Sequence, residues 1–277
     1  MKNMMALLLT LLPLGIGYGQ MIQANYKSPL PALQQQGWQI HSHSLSFDEQ
    51  TIVFSAKAPE QTHYDLYRAR KNGKAWEQVT ALTTLNTSAD ELYPTLGSSE
   101  QDLLFVKRSE ELGKGKKIVE RYYLMSSSLV HSQWSAPDVI IISQGRDISP
   151  VLLADNKTVI FASNRTTADK KEGNFALFYT QRIDQRNWYQ PQLILAPENK
   201  NEHYYAPYVK NFVRQGNVCN VTIGYTHQIC NNRDTSYIAE QLVLPEQFHP
   251  QPILTLEGRI RDVKTKRIAP AQISVFH

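Results

Sequence analysis

Apolar and polar positions alternate in short bursts along this chain, and the same order of bursts recurs. The first copy opens with Ser44-Leu45-Ser46-Phe47-Asp48-Glu49-Gln50-Thr51-Ile52-Val53-Phe54-Ser55, an extended segment, a polar cluster and an apolar segment ending near Phe. The second runs from Pro94 to Val106 through Ser98-Ser99-Glu100, and the third from Pro150 to Ala162 through Asp155-Asn156-Lys157. Such polar clusters are tight-turn chemistry, because their side chains bond their own backbone and tolerate left-handed angles. Each copy therefore predicts a hairpin of two strands. A third strand follows in Tyr64–Arg68, Arg121–Met125 and Phe175–Tyr179. An aromatic residue then leads into a last apolar run: Trp76 before Val79, Trp134 before Val139-Ile140, and Trp188 before Leu193-Ile194. A more divergent fourth copy uses Ala206–Val209, Val218–Tyr225, Ser236–Ala239 and then Phe248 before Ile253-Leu254.

The leading aromatics are spaced 134 − 76 = 58, 188 − 134 = 54 and 248 − 188 = 60 residues apart. A period of roughly 40–50 residues or a little more, with several strands per unit, marks a propeller-type array. The expected fold class is all-β: a β-propeller of four-stranded antiparallel blades, about four of them visible, with a short β tail. Closure raises a difficulty. If Ile253–Ile260 belong to another domain, the fourth blade lacks its outer strand; Ser28–Leu33 is a candidate to fill that gap, and an open arc is the alternative.

The ends of the chain read differently. Lys2 precedes an apolar run from Met4 to Gly17, and Gly17-Tyr18-Gly19 offers small residues for cleavage, so residues 1–19 are expected to be a signal peptide. That run is short for a span of about 20 residues, and no other stretch is long enough, so a mature chain without a transmembrane segment is expected in the periplasm or associated with the outer membrane. Losing Lys2 takes the formal charge from +4 to +3, too mild to imply nucleic acid. Cys219 and Cys230 are the two cysteines; in an oxidising compartment a disulfide between them and two free thiols are both compatible with the sequence.

Ser44, Ser46, Asp48, Ile52, Phe54, Ser55, Asp65, Leu66, Tyr67 and Trp76 together resemble the TolB-type, WD-like propeller repeat. The third copy keeps Pro150, Asp155, Ile160, Phe161, Ser163, Asn164 and Arg165; the second loses the turn aspartate but keeps Phe105 and Arg108. The resemblance covers roughly residues 28 to 252, taken as the propeller within a 20–252 domain. After it, the run Gly258-Arg259-Ile260-Arg261-Asp262 through Ile273-Ser274-Val275 is similar to the start of a carboxypeptidase-regulatory-like β-sandwich, truncated at residues 253–277. That order of parts resembles OmpA-family envelope proteins of the Bacteroidetes type, one of which belongs to the type IX secretion apparatus. The resemblance implies envelope proteins as partners, with peptidoglycan only if a further C-terminal domain exists; no cofactor is assigned.

Candidate chemistry is sparse. His41 and His43 would share a strand face, yet no carboxylate cluster at ligand spacing accompanies them, so no metal is assigned. No Gly-x-Ser-x-Gly, His-Glu-x-x-His or phosphate loop occurs, and no catalytic residue is assigned. The loops leading into the first strand of each copy should converge on one face of the array. His41, Glu91, Asp147 and His203 stand there at near-equivalent positions, a polar ring suited to a ligand or partner peptide. Capping of blade junctions is the plainer role for them. The basic loop containing Lys107, Arg108, Lys114, Lys116 and Lys117, with Lys170-Lys171, should lie on the same face. The leading expectation is a non-enzymatic envelope scaffold binding protein through that face. A propeller enzyme on carbohydrate or peptide would instead bring Glu91, Asp147 and Glu202 together around a deep pocket. A glycan-binding module would show exposed aromatics there, with Trp38 as the candidate.

Overall fold

The computed structural model describes residues 28–113, 117–142, 145–166, 173–184, 186–215, 218–231 and 234–250. The signal segment, Lys114, Lys116, Lys170-Lys171 and the tail at 253–277 lie outside these residues. A short helix, α1 (Pro31–Gln35), precedes four antiparallel sheets. The first is β1 (Gln39–Leu45), β2 (Thr51–Lys57), β3 (Asp65–Asn72) and β4 (Ala75–Ala81), in that spatial order. The second is β5 (Asp90–Leu96), β6 (Asp102–Leu112) and β7 (Ile118–Val130), with β8 (Gln133–Trp134) and β9 (Asp138–Ile141) both pairing with β7. The third is β10 (Asp147–Leu152), β11 (Thr158–Ser163), β12 (Ala176–Gln181) and β13 (Gln192–Leu195). The fourth has three strands, β14 (Glu202–Gln215), β15 (Val218–Cys230) and β16 (Thr235–Val243). This is a four-blade propeller arrangement, each blade wound from its innermost strand outward.

The turn clusters act as their chemistry requires. Asp155 accepts from the backbone N–H of Lys157 at 3.0 Å and of Thr158 at 2.8 Å, while Asn156 takes a φ of 52°. In the first copy Ser46 donates to Asp48 at 2.6 Å, and Glu49 takes a φ of 56°. The second copy, which lost its aspartate, is supported from the next blade: Asn156 Oδ1 accepts from the Ser98 N–H at 2.9 Å.

Cores form between sheets. Val53, Leu66 and Leu85 of the first blade meet Leu103, Phe105 and Met125 of the second. Leu104, Val106 and Leu124 meet Phe161 and Phe178 of the third; Ile160, Leu177 and Tyr179 meet Tyr204, Ile223 and Tyr225 of the fourth. A fully buried phenylalanine stands at the centre of β2, β6 and β11, worth about 2–3 kcal/mol each by the area it removes from water. The leading aromatics repeat in their packing too. Trp134, Trp188 and Phe248 pack respectively into the first-second, second-third and third-fourth cores, and Trp76 packs on the outward face of the first blade.

That outward face corrects one expectation. Leu30, Leu33 and Trp38 cover Ile52, Phe54 and Tyr67 of the first blade, so the segment around Ser28–Leu33 does not complete the fourth. Among the described residues, no apolar cluster joins the fourth blade to the first. Helix α1 seals the end of the array where a closed ring would place another sheet.

Candidate functional site at the mouth of the inner strands

The innermost strands β1, β5, β10 and β14 bring their first residues to one end of the array. Register shows which positions correspond. Glu91 pairs with Lys107 and Asp147 with Ser163, and the same place in the other blades is held by Ile40, opposite Ala56, and Tyr204, opposite His227. Glu91 and Asp147 are therefore true equivalents, while His41 lies one residue after the position and His203 one before. All four sit on strands and not in the loops ahead of them.

Irregular backbone marks the next step of each inner strand. Tyr93, Ser149 and Ala206 each precede a proline and take φ of 51°, 51° and 44°, and the register slips there by a bulge. In β1 the slip falls between Ile40 and Ser42, making His41 the extra residue. The slip also separates His41 from His43, which do not share surroundings as simple alternation predicts: His43 is buried opposite Phe54, whereas His41 is half-buried between two tyrosines. Burial holds both imidazoles well below their usual range, at about 4, with Arg108 adding to the effect at His41. Positive φ in a non-glycine residue costs energy, and such strain concentrates where geometry serves a purpose.

The two carboxylates are enclosed. Glu91 is fully buried; its oxygens accept from the Thr87 hydroxyl at 2.7 Å and the Thr87 N–H at 3.2 Å. Desolvation pushes its carboxyl up to about 7, and the nearby Asp65 adds to this. Asp147, also fully buried, accepts from Ser163 at 2.6 Å and pairs with Arg165 at 2.7 Å. Burial raises its carboxyl, and Arg165 opposes the rise. The Arg165 guanidinium lies over the rings of Phe161 and Phe178 at 5.2 and 5.3 Å. Glu202 is held by Asn199 at 2.6 Å and faces His227 at 3.6 Å. Each of the three carboxylates is held by its own neighbours: Glu91 by Thr87, Asp147 by Ser163 and Arg165, and Glu202 by Asn199.

Aromatic side chains fill the mouth instead. His41 meets Tyr64 edge-on at 5.2 Å and Tyr93 at 4.6 Å. Tyr205 stacks on His203 at 5.6 Å, and Phe175 approaches Tyr205 at 5.0 Å. The cations around them are engaged: Arg108 pairs with Asp90, Arg146 with Glu120 at 2.9 Å and Arg146 also with the Tyr122 ring, and Lys57 lies over Tyr64 at 4.5 Å. The Ser149 hydroxyl is fully buried and has no hydrogen-bond partner among the described residues. Tyr93 and Tyr205 are absent from the sequence-based candidates; the signal for Tyr93 was its place before a proline that recurs at 94, 150 and 207. Trp38 does not serve the mouth, because it packs against Phe54 at 6.5 Å and Tyr67 at 4.9 Å beneath α1.

Of the basic loop, Lys117 is exposed beside the β6–β7 turn. The cysteines stand at opposite ends of β15, 230 − 219 = 11 residues apart, or roughly 36 Å at the strand rise. Disulfide geometry needs Cα atoms within about 7 Å. A bridge between them within one chain is thereby ruled out, and Cys230 is a free thiol.

No family model matches the chain, and no curated protein does. Several solved structures are similar to it at low identity. A protein assigned as TolB from Agrobacterium tumefaciens shares 11% identity and a TM-score of 0.44, over 73% of this chain and 65% of its own. Alpha-L-arabinanase from Penicillium chrysogenum, solved with arabinobiose, gives 13% and 0.49, over 76% of this chain and 64% of its own. A prolyl endopeptidase gives 12% and 0.38, over 76% and 29%. The chain thus spans less than two thirds of each of these proteins. Among the described residues no helix is long and apolar enough to cross a membrane.

Proposed function

We propose that this chain is a non-enzymatic scaffold of the cell envelope, exported to the periplasm or the outer membrane, that binds protein partners through the mouth of its inner strands. Assembly of outer-membrane or type IX secretion machinery is the setting that the TolB-type repeat and the tail sequence suggest. One observation carries the binding role: the mouth presents half-buried His41, Tyr64, Tyr93, Phe175 and His203, while its carboxylates and guanidinium groups are already paired. Aromatic surfaces of this kind suit a peptide, because they give large contact area with little side-chain entropy to lose.

A photo-crosslinker placed at Tyr93, and another at Val213 on the long β14–β15 hairpin, tests this in cells. Adducts to envelope proteins are expected at position 93 and should disappear when Tyr64→Ala and Phe175→Ala are added. Equal labelling at 213 would sink the proposal.

A second reading, a propeller enzyme acting on carbohydrate or peptide, draws on the Glu91 carboxyl near neutrality close to Asp65. It predicts hydrolysis of polysaccharide or peptide that Glu91→Gln abolishes. Binding that survives Glu91→Gln without turnover supports the scaffold.

A further inference from the structure

Sheet by sheet, the register repeats with the leading aromatic as its marker. The central residues of β2, β6 and β11, Phe54, Phe105 and Phe161, stand opposite Tyr67, Met125 and Phe178 of the third strands. On their other side these third-strand residues pair with Ala81, Val139 and Leu193. Each of those lies five residues past the tryptophan of its own blade: 81 − 76, 139 − 134 and 193 − 188. Three blades obey one rule, although their connecting loops differ.

The fourth blade reproduces every part of this arrangement except the last strand. Tyr225 stands opposite Glu240, as the phenylalanines stand opposite their partners. Phe248 is buried against Tyr179 at 5.0 Å, in the core between third and fourth blades, the counterpart of where Trp188 and Trp134 sit. It is anchored by a turn over Glu246–Phe248, with a His249 ring nitrogen 2.7 Å from the Leu244 carbonyl. Beyond β16, however, the described residues supply no further strand, and the nine-residue edge leaves Tyr237, Ile238 and Val243 at 41%, 44% and 62% exposure. A long edge with apolar side chains and unpaired backbone groups is a template for another strand.

We propose that the β16 edge is the docking site for residues Pro252–Thr255 of this same chain, which complete the fourth blade with Ile253 opposite Glu240. The position follows from the rule, 248 + 5 = 253. A second pair follows from Leu124 opposite Ile141 and Leu177 opposite Leu195, each seven past its tryptophan, which places Thr255 opposite Ala239. The chain leaves the described residues at Pro250, two residues short of this strand. This docking attaches whatever follows residue 255 to the outer rim of the fourth blade and leaves the mouth unobstructed. It is independent of the function proposed above.

Directly opposed residues bring their Cβ atoms to about 4.5–5.5 Å, within reach of a disulfide. In the full chain carrying Cys219→Ser and Cys230→Ser, the pair Glu240→Cys with Ile253→Cys should oxidise to a bridge within one chain in most molecules. Ala239→Cys with Thr255→Cys should do the same and avoids the bonds Glu240 makes to Tyr225 and His227. The offset pair Glu240→Cys with Arg259→Cys should stay reduced. Peptide mapping under non-reducing conditions reads all three. The proposal is overturned if both opposed pairs stay reduced while their thiols alkylate freely, or if the offset pair bridges equally well. It is also overturned if the bridges form between chains, which would assign the edge to a second copy.

Discussion

At the scale of single residues, the inner strands hold ionisable groups whose ordinary behaviour is altered by burial. Glu91 binds its proton more tightly in the fold, near 7 against an ordinary 4.5, so its contribution to stability is full below 4.5 and declines as pH rises towards 7. His41 and His43 act in the opposite direction. Their imidazoles, at about 4 against 6.5, contribute stability above 6.5 that is lost as pH falls towards 4. Between pH 4.5 and 6.5 the two effects oppose each other. Glu91→Gln removes one of them, so urea unfolding of that variant should show a steeper rise of stability with pH than the native chain. Parallel profiles would mean that Glu91 keeps an ordinary carboxyl. In the same pH range, an NMR titration of His41 should show a neutral ring at pH 5.

At the scale of elements, each blade works as a hairpin, a third strand and a sealing aromatic. Phe248 fills the core of the fourth blade as the tryptophans fill theirs. Phe248→Ala should cost about 3–5 kcal/mol by loss of burial and the cavity left behind, measured by denaturant unfolding. The fourth blade also depends on a close approach: a Cβ on Gly224 would stand 2.2 Å from the Tyr208 ring, directly across the β14–β15 ladder. Gly224→Ala should therefore destabilise the protein, and adding Tyr208→Ala should recover part of the loss. Simple additivity of the two changes would show that the ring does not lie over the glycine. Elsewhere a neighbour supplies what an element lacks, as where Asn156 of the third blade bonds the second blade's turn.

At the scale of the whole molecule, stability runs through successive cores from one blade to the next, as in a repeat array. Among the described residues no blade packs ahead of the first, and α1 with Trp38 takes that place. Leu30 is the most enclosed part of this cap. Leu30→Ala should lower stability by about 2–5 kcal/mol and raise proteolysis at β1 and β2 before the other blades. Loss of only a few tenths, with no change in cleavage order, would show that α1 is not the seal.

Alternation, turn clusters and the recurring aromatics are properties of contiguous residues, and they determined the strands, their order and the all-β propeller class. Even the common role of Trp76, Trp134, Trp188 and Phe248 was legible in their spacing. The sequence did not disclose what each polar residue at the mouth faces. Glu91 and Asp147 occupy equivalent places, yet one turns to Thr87 and the other to Arg165, partners set by how the chain folds around them. The bulges that displaced His41 from the ring and strained Tyr93 arise from pairing with a neighbouring strand. Cys219 and Cys230 look close along the chain, but an extended strand holds them apart. Tertiary structure alone decided the aromatic mouth, the enclosed carboxylates and the cap on the first blade. Burial depends on the cores between blades, and partnership on which side chains strand pairing and turns bring together, so the local pattern of one segment carries no record of either.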